Sequence, residues 1–284
     1  MDEFSPKKVA VTGSRGFIGQ AVHRALKAQA YESSILTGDV RSLETFSGDF
    51  DTLLHLAGAV PPTFQMDPGL ARDTNIEGTR NALAACARNG GHLVFASSCG
   101  IYDPHQPSPI SENGRLNPVD AYGKSKLVGE ELCRKSAAEG LCRTTILRIF
   151  NPYGPSQPPY MLMPYILSEL AQGKRPKIKS PESQRDFVHV DDVARAFLLS
   201  INSRKDFAVL NIGSGKATSV REICETLIEA TGSKIQALNM EGTGTQTTAV
   251  IANISEAERQ IGWTPLVSLK DGLHQIANLF IPEA

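Results

Sequence analysis

Tyr122 and Lys126 lie four positions apart just after Asn117-Pro118, a helix-start signal, so both side chains fall on one face of the helix that follows. An unperturbed phenol ionises near pH ~10 and is a poor acid or base at neutrality. A lysine ammonium beside it favours the phenolate and lowers that value. Such a pair can exchange a proton with a hydroxyl or a ketone. Ser98, just past the apolar run Leu93–Ala96, can hydrogen-bond the same oxygen, and Ser97 competes with it for that role.

A second constellation opens the chain. Val11-Thr12-Gly13-Ser14-Arg15-Gly16-Phe17-Ile18-Gly19 follows a short apolar run and leads into a helical pattern. Glycines here make a tight turn, admit a pyrophosphate close to backbone and let helix pack on strand. The helix N-terminus then offers free N–H groups to the phosphates. The strand–turn–helix context points to a dinucleotide, NAD or NADP. Bound there, its oxidised nicotinamide adds a positive charge that also favours the Tyr122 phenolate, and the Tyr–Lys pair becomes the proton half of a hydride transfer.

The elements that must position these groups alternate. Apolar runs at Val9–Val11, Ser34–Leu36, Thr52–Leu56, Leu93–Ala96 and Thr145–Ile149 are separated by helical stretches near Ile18–Ala30, Asn75–Arg88 and Val119–Ala138. That is the sequence form of an α/β fold, a Rossmann-type doubly wound parallel sheet with helices on both faces. It puts Ser98 at the carboxyl edge of the sheet, where ligands bind. From Asn151 onward Pro152, Pro155, Pro158 and Pro159 break the pattern. Beyond them Pro164–Gln172 reads as a helix and Arg185–Val190 as a strand returning to the sheet. Ser219 and Glu222 form a capping box ahead of Val220, Ile223, Cys224, Leu227 and Ile228, and Leu269, Leu273, Ile276 and Phe280 mark a last amphipathic helix. We expect a dinucleotide-binding domain of residues 1–152 plus about 186–212. A smaller, discontinuous C-terminal substrate domain would hold about 153–185 and 213–284.

Composition excludes several classes. A net charge of −1 carries no signature of a nucleic-acid or anionic-membrane partner. The odd set Cys86, Cys99, Cys133, Cys142 and Cys224 holds no close pair and reads as reduced thiols. No apolar run approaches membrane-spanning or signal-peptide length, so the expectation is a soluble, cytoplasmic chain. His189, Asp191 and Asp192 fall where strand meets helix and are read as structural, not as a metal site.

The glycine spacing, Gly-x-x-Gly-x-x-Gly, together with His55-Leu56-Ala57-Gly58, Asn75-x-x-Gly78-Thr79, Ser97-Ser98, Tyr122-Gly123-Lys124-Ser125-Lys126 and Arg185-Asp186-Phe187-Val188, resembles the extended short-chain dehydrogenase/reductase family of nucleotide-sugar epimerases, dehydratases and reductases. The resemblance runs over nearly the whole chain. It implies Ser98, Tyr122 and Lys126 as the catalytic set. It also implies a cofactor held by Gly13, Arg15, Gly16, Phe17, Ile18, Gly19, Asp39, Val40, Leu56, Ala57, Gly58, Asn75, Tyr122 and Lys126. A nucleotide-diphosphate sugar would meet Ser97, Ser98, Cys99, Asn151 and Arg185. A homodimer is the family's form.

Departures from the family pattern are informative. There is room for one strand unit, not two, between the glycine loop and His55. Asp39 stands 39 − 19 = 20 positions after Gly19, where a ribose-binding acid would fall, yet Thr37-Gly38-Asp39-Val40 resembles the later motif whose acid meets the adenine. The acid that selects NAD would then be missing, with Arg15 or Arg41 open to a 2′-phosphate, and the reading leans to NADP. Cys99 and Gly100 stand where dehydratases carry an Asp-Glu pair, which disfavours dehydration. Ser156 replaces the histidine of the fucose-synthase branch. An arginine expected near Met240–Thr248 gives way to Glu241-Gly242-Thr243-Gly244-Thr245. Gly262-Trp263-Thr264-Pro265 resembles the family's closing turn, with Trp263 in the core. The leading expectation is reduction of a nucleotide-linked 4-keto sugar. The alternative is a 4-epimerase on tightly bound NAD, and a third is a non-catalytic dinucleotide-binding subunit.

Overall fold

The computed structural model describes residues 7–235 and 249–280. Its centre is a six-stranded, wholly parallel sheet. Along the chain, the strands are β1 (Val9–Thr12), β2 (Ser33–Ile35), β3 (Thr52–His55), β4 (His92–Ser98), β5 (Arg143–Ile149), β6 (Pro152–Tyr153), β7 (Gln184–Arg185), β8 (Val188–His189), β9 (Phe207–Ile212) and β10 (Thr218–Ser219). The helices are α1 (Phe17–Ala28), α2 (Pro61–Met66), α3 (Pro68–Arg88), α4 (Ala121–Ala138), α5 (Leu162–Ala171), α6 (Val190–Ser200), α7 (Val220–Ala230), α8 (Ser255–Ile261) and α9 (Leu269–Phe280).

The sheet order is β2-β1-β3-β4-β5-β9. The chain leaves β1 toward one edge and returns to its other side, so a crevice opens between the carboxyl ends of β1 and β3. Strand residues alternate between two cores, as the two-residue period requires. Val9, Val11 and Leu54 pack with Ala21 and Val22 of α1 and Val193 and Phe197 of α6. Ala10 and Leu53 pack on the opposite face with Ala82 and Cys86 of α3 and Cys133 of α4. A third core joins Tyr153, Met163, Ile166, Ile223, Leu227 and Leu273 from α5, α7 and α9.

One strand unit lies between β1 and β3, as the short spacing predicts, and β2 is the edge of the sheet. The capping box forms: Ser219 Oγ accepts from Glu222 N, while Glu222 Oε2 accepts from Ser219 N at 2.6 Å. Trp263 is fully buried and donates to Asp192 O at 2.8 Å, so the closing turn is clamped onto α6. Two expectations are corrected. The 185–190 run is not a sheet strand: β7 pairs with β10, β8 pairs with β6, and the returning strand is β9. Asp186 forces the break. Its carboxylate turns inward to accept from Ser214 N, Gly215 N and Ala252 N, which stops a ladder through that position. On α9 the buried positions are Leu273, Ile276 and Ala277, and Phe280 is exposed.

Candidate active site

At the end of β1, Gly13 adopts φ +72°, and a Cβ there would lie 2.5 Å from Ala57 N. Only glycine accepts both the left-handed backbone and that approach. A Cβ on Gly19 would collide with the Gly13 carbonyl, so helix and loop stack with nothing between them. Gly16 caps α1 without a side-chain hydrogen bond. The helix N-terminus therefore keeps donors for an anion. Phe17 and Ile18 begin α1 half-buried. Below the loop, Thr12 Oγ1 and His55 Nδ1 bond at 2.8 Å and Ala57 N donates to Thr12 Oγ1, tying the ends of β1 and β3 together. Burial pushes the His55 imidazole down to about 3, with the Lys126 ammonium adding to it, so the ring is neutral. The cradle has the shape and donors a dinucleotide pyrophosphate needs.

Ser98 ends β4, its hydroxyl accepts from Gly100 N at 3.1 Å, and it lies beside the Tyr122 phenol, close enough to oppose the effect of burial on it. Asp120 caps α4 by accepting from Gly123 N at 2.7 Å, which sets where Tyr122 starts the helix. One turn on, Lys126 is buried and donates to Ala96 O at 2.9 Å. Its Nζ lies 5.9 Å from the centre of the Tyr122 ring. Phe64 of α2 meets that ring edge-on at 6.2 Å. Burial pushes the phenol up to about 12, opposed by the neighbouring Ser98 hydroxyl, and brings Lys126 down to about 8. This corrects the expectation of a phenol lowered by its lysine: desolvation wins among the protein's own groups, and what lowers the phenol is Ser98.

Gly58, after the Leu56-Ala57 turn, is tightly packed too, against side chains and not backbone. A Cβ on it would lie 3.0 Å from Asn75 Oδ1 and 3.2 Å from Lys126 Nζ. Asn75 Oδ1 accepts from Ala59 N at 2.7 Å, and its Nδ2 donates to Ser125 Oγ and Ala59 O. Both amide hydrogens are thus used within the protein. Asn75 shapes the turn that would meet a cofactor and has no donor left to touch one itself. Ser97 also has a different role from the one expected: its hydroxyl donates to Glu130 Oε1 at 2.5 Å, on the side of the strand away from Ser98.

The β2 end is looser. Asp39 is exposed and accepts from the Arg41 backbone and guanidinium, which holds its carboxyl below the usual range. Arg41 is therefore already paired and is not a free cation for a 2′-phosphate. Val40 is buried against Gly78, and Asn81 Nδ2 donates to the carbonyls of Val40 and Arg41, so this loop rides on α3. The exposed Arg15 has no carboxylate partner among the described residues.

On the substrate side Asn151 Nδ2 donates to Asp186 O at 2.8 Å, bringing Asn151 beside Arg185. Arg185 is exposed on β7 and bonds Gln184 O; no carboxylate among the described residues pairs with it, Asp186 being taken by Ser214, Gly215 and Ala252. Burial pushes the Cys99 thiol up to about 11, with the Asp186 charge adding to it, and the residue packs with Ile101 and Phe150. His189 Nδ1 accepts from Asp191 N, and Asp192 accepts from the backbone of Leu266 and Val267, so both hold secondary structure together. The 241–245 segment lies outside the described residues.

The family model for NAD-dependent epimerases and dehydratases matches residues 9–213. The chain belongs to the NAD-dependent epimerase/dehydratase family. A putative UDP-glucose 4-epimerase of Methanocaldococcus jannaschii is 29% identical over 299 residues, covering 95% of this chain and 97% of that protein. Among solved structures, the UDP-glucose 4-epimerase of Thermotoga maritima with UDP-glucose superposes at a TM-score of 0.88 and 27% identity, covering 96% of this chain and 98% of the other. RMD of Pseudomonas aeruginosa, complexed with NADPH, gives 0.87 and 25% over the same shares.

For this epimerase/dehydratase chain the residues that sequence reasoning missed are Glu130 and Arg148. Both are almost wholly buried and form a forked ion pair, Nη2 to Oε2 at 2.7 Å. Their signal was present: an arginine inside the apolar run Thr144–Ile149, and a glutamate one turn past Lys126 on the same helix face. No helix among the described residues is long and apolar enough to cross a membrane.

Proposed function

We propose that this chain interconverts the C4 epimers of a UDP-linked hexose, using NAD bound along the glycine loop and Tyr122 as the acid–base group. The observation that carries the reading is the juxtaposition of Ser98 and Tyr122 at the carboxyl edge of β4, with the buried Lys126 anchored on Ala96 O behind the Tyr122 ring and against Gly58 of the crevice. The 4-epimerases of M. jannaschii and T. maritima, matched nearly end to end, favour epimerisation over the reduction expected from sequence.

When bound, the oxidised nicotinamide supplies the hydride acceptor and a positive charge that favours the phenolate. Tyr122 takes the proton from the C4 hydroxyl as the C–H bond breaks, while Ser98 holds the same oxygen. Tyr122 would return that proton to the oxygen as the ketone is reduced again, so the proton stays within the site. Lys126, anchored on Ala96 O, would hold the nicotinamide ribose. Arg185, without a carboxylate partner among the described residues, takes the diphosphate as a fixed fork, and Asn151 lies beside it. We assign the cofactor to the unit of residues 1–152 and about 186–212, and the sugar nucleotide to about 153–185 and 213–284. The 255–263 segment is an exception, because Ala257 and Trp263 pack in the core of the large sheet.

A second reading rests on the ribose end. Immediately after β2 stand Leu36 and Thr37, neither of them an acid, and Arg15 is unpaired there among the described residues. That arrangement tolerates a 2′-phosphate and fits an NADPH-dependent reductase of a 4-keto sugar nucleotide, and RMD is solved with NADPH. Incubation with UDP-glucose and no added cofactor separates the two. The epimerase yields a C4-epimer mixture by NMR. No epimer, with NADPH consumed on a UDP-4-keto sugar, would replace it with the reductase.

A further inference from the structure

Glu130 sits at the centre of a buried network that no catalytic step above uses. Its carboxylate accepts from Ser97 Oγ at 2.5 Å and from Arg148 Nε and Nη2 at 3.0 and 2.7 Å. Arg148 Nη1 donates onward to Tyr102 OH and Glu112 O, at 2.8 and 2.7 Å. Tyr102 OH donates to Asn211 Oδ1, and Asn211 N donates back to Glu112 Oε1. One ion pair thus joins the helix of Tyr122 and Lys126, the strand end of Ser98, β5, β9 and the 99–117 segment that leads from Ser98 to α4.

Two side-chain ties join α4 to the end of β4: Lys126 to Ala96 O and Ser97 to Glu130. They fall on consecutive strand residues immediately before Ser98. Because Ser98 rides on the strand and Tyr122 on the helix, these ties fix the distance between the two reacting hydroxyls. A buried ion pair is a poor source of net stability, since desolvating both charges cancels most of the attraction. A forked, fully hydrogen-bonded pair instead specifies one geometry. We propose that Glu130 and Arg148 are positioning residues: the pair locks the register of α4 against β4 and so holds Ser98 and Tyr122 at reacting distance. The inference rests on the assignment of Tyr122 as the acid–base group.

The groups facing Lys126 define the charge effect. Glu130 and Cys133 lie on its own helix and raise its pKa; His55 on β3 is neutral, and Phe95 on β4 and Tyr122 present rings. Glu130 is the one carboxylate among them.

Two variants test it, with Tyr122→Phe as reference. Ser97→Ala keeps the ion pair and removes the strand tie. It is expected to fold with unchanged NADH binding, lower kcat roughly 10-fold and leave KM for the sugar nucleotide near wild type. The double variant Glu130→Gln/Arg148→Met removes both charges together. Folded, it is expected to lose roughly 100-fold in kcat and to move the alkaline limb of the kcat profile to lower pH, because Lys126 loses the carboxylate that raises it. Wild-type kcat in Ser97→Ala overturns the inference, as does a folded double variant with wild-type kcat and alkaline limb. If the double variant does not fold, Ser97→Ala decides alone. An active Tyr122→Phe would instead sink the catalytic assignment itself, so the two failures are distinguishable.

Discussion

The two ends of the cofactor crevice are built differently. Around Ser98, Tyr122 and Lys126 the groups that shape the corner are tied by buried partners: Asn75 spends its amide on Ala59 and Ser125, Lys126 donates to Ala96 O, and Ser97 to Glu130. At the ribose end Asp39 and Arg41 pair with each other in the open, and Arg15 stands alone among the described residues. A charge in a dry, hydrogen-bonded corner is worth far more than one in water. The chemistry is therefore placed where geometry is over-determined, and cofactor choice where side chains are free to adapt. Substitutions should hit hard at the first end and softly at the second.

The largest effect belongs to Tyr122→Phe. Removing the phenol hydroxyl is expected to lower kcat by about 10³- to 10⁴-fold while NADH binding, followed by fluorescence, stays within a few-fold of wild type. Gly58→Ala comes next. The added methyl would sit 3.2 Å from Lys126 Nζ and 3.0 Å from Asn75 Oδ1, and the expected cost is roughly 10- to 100-fold in kcat. Wild-type turnover in that variant would mean the corner yields more easily than its packing implies.

The titration of Lys126 acts with opposite signs on activity and on stability. Lys126 is lowered in the fold from 10.5 to about 8 by burial. Below about 8 it is charged in both states. Between the two values the unfolded chain binds a proton at Lys126 that the folded chain has released, so the Lys126 contribution to stability rises with pH across that window. Activity is expected to fall through the same window as the ammonium is lost. Thermal unfolding from pH 7 to 10 on wild type and Lys126→Met isolates this contribution from that of the buried thiols, which pull stability down with pH in both: the variant should lose stability more steeply than wild type, and only wild type should lose kcat through the window.

Asn75→Ala leaves Ala59 N and Ser125 Oγ without their partner in a buried site, costing about 1–3 kcal/mol and lowering Tm by several degrees in a thermal melt. The smallest effect is expected from Asp39→Asn. Its exposed pair with Arg41 adds nothing measurable to Tm, but freeing Arg41 should raise NADPH affinity relative to NADH by a few-fold in a fluorescence titration. An unchanged ratio would show that Arg41 does not reach the ribose.

Much of this was legible in the sequence because it rests on local rules. The glycine loop, the alternating strands, the Ser219–Glu222 capping box and the Tyr122–Lys126 face all follow from spacing within a turn or two of chain. What was not legible depends on what meets what across the fold. Glu130 finds Arg148 from another element, Asn75 turns inward to Ser125 fifty positions away, and Asp186 is captured by Ala252 from a distant loop. The phenol's raised pKa is a burial effect, invisible until α2 and Phe64 close over the ring. The missed strand β9 begins at Phe207 after a polar loop, with a period that a buried edge strand does not advertise.

The most direct test of the central claim is to supply UDP-glucose deuterated at C4, with no added cofactor, and follow the product by NMR and mass spectrometry. A hydride taken from C4 and returned within the same site predicts a C4 epimer that keeps its deuterium, with none appearing in solvent. The absence of any epimer would contradict the epimerase reading, and an epimer whose C4 hydrogen comes from water would contradict hydride transfer at this site.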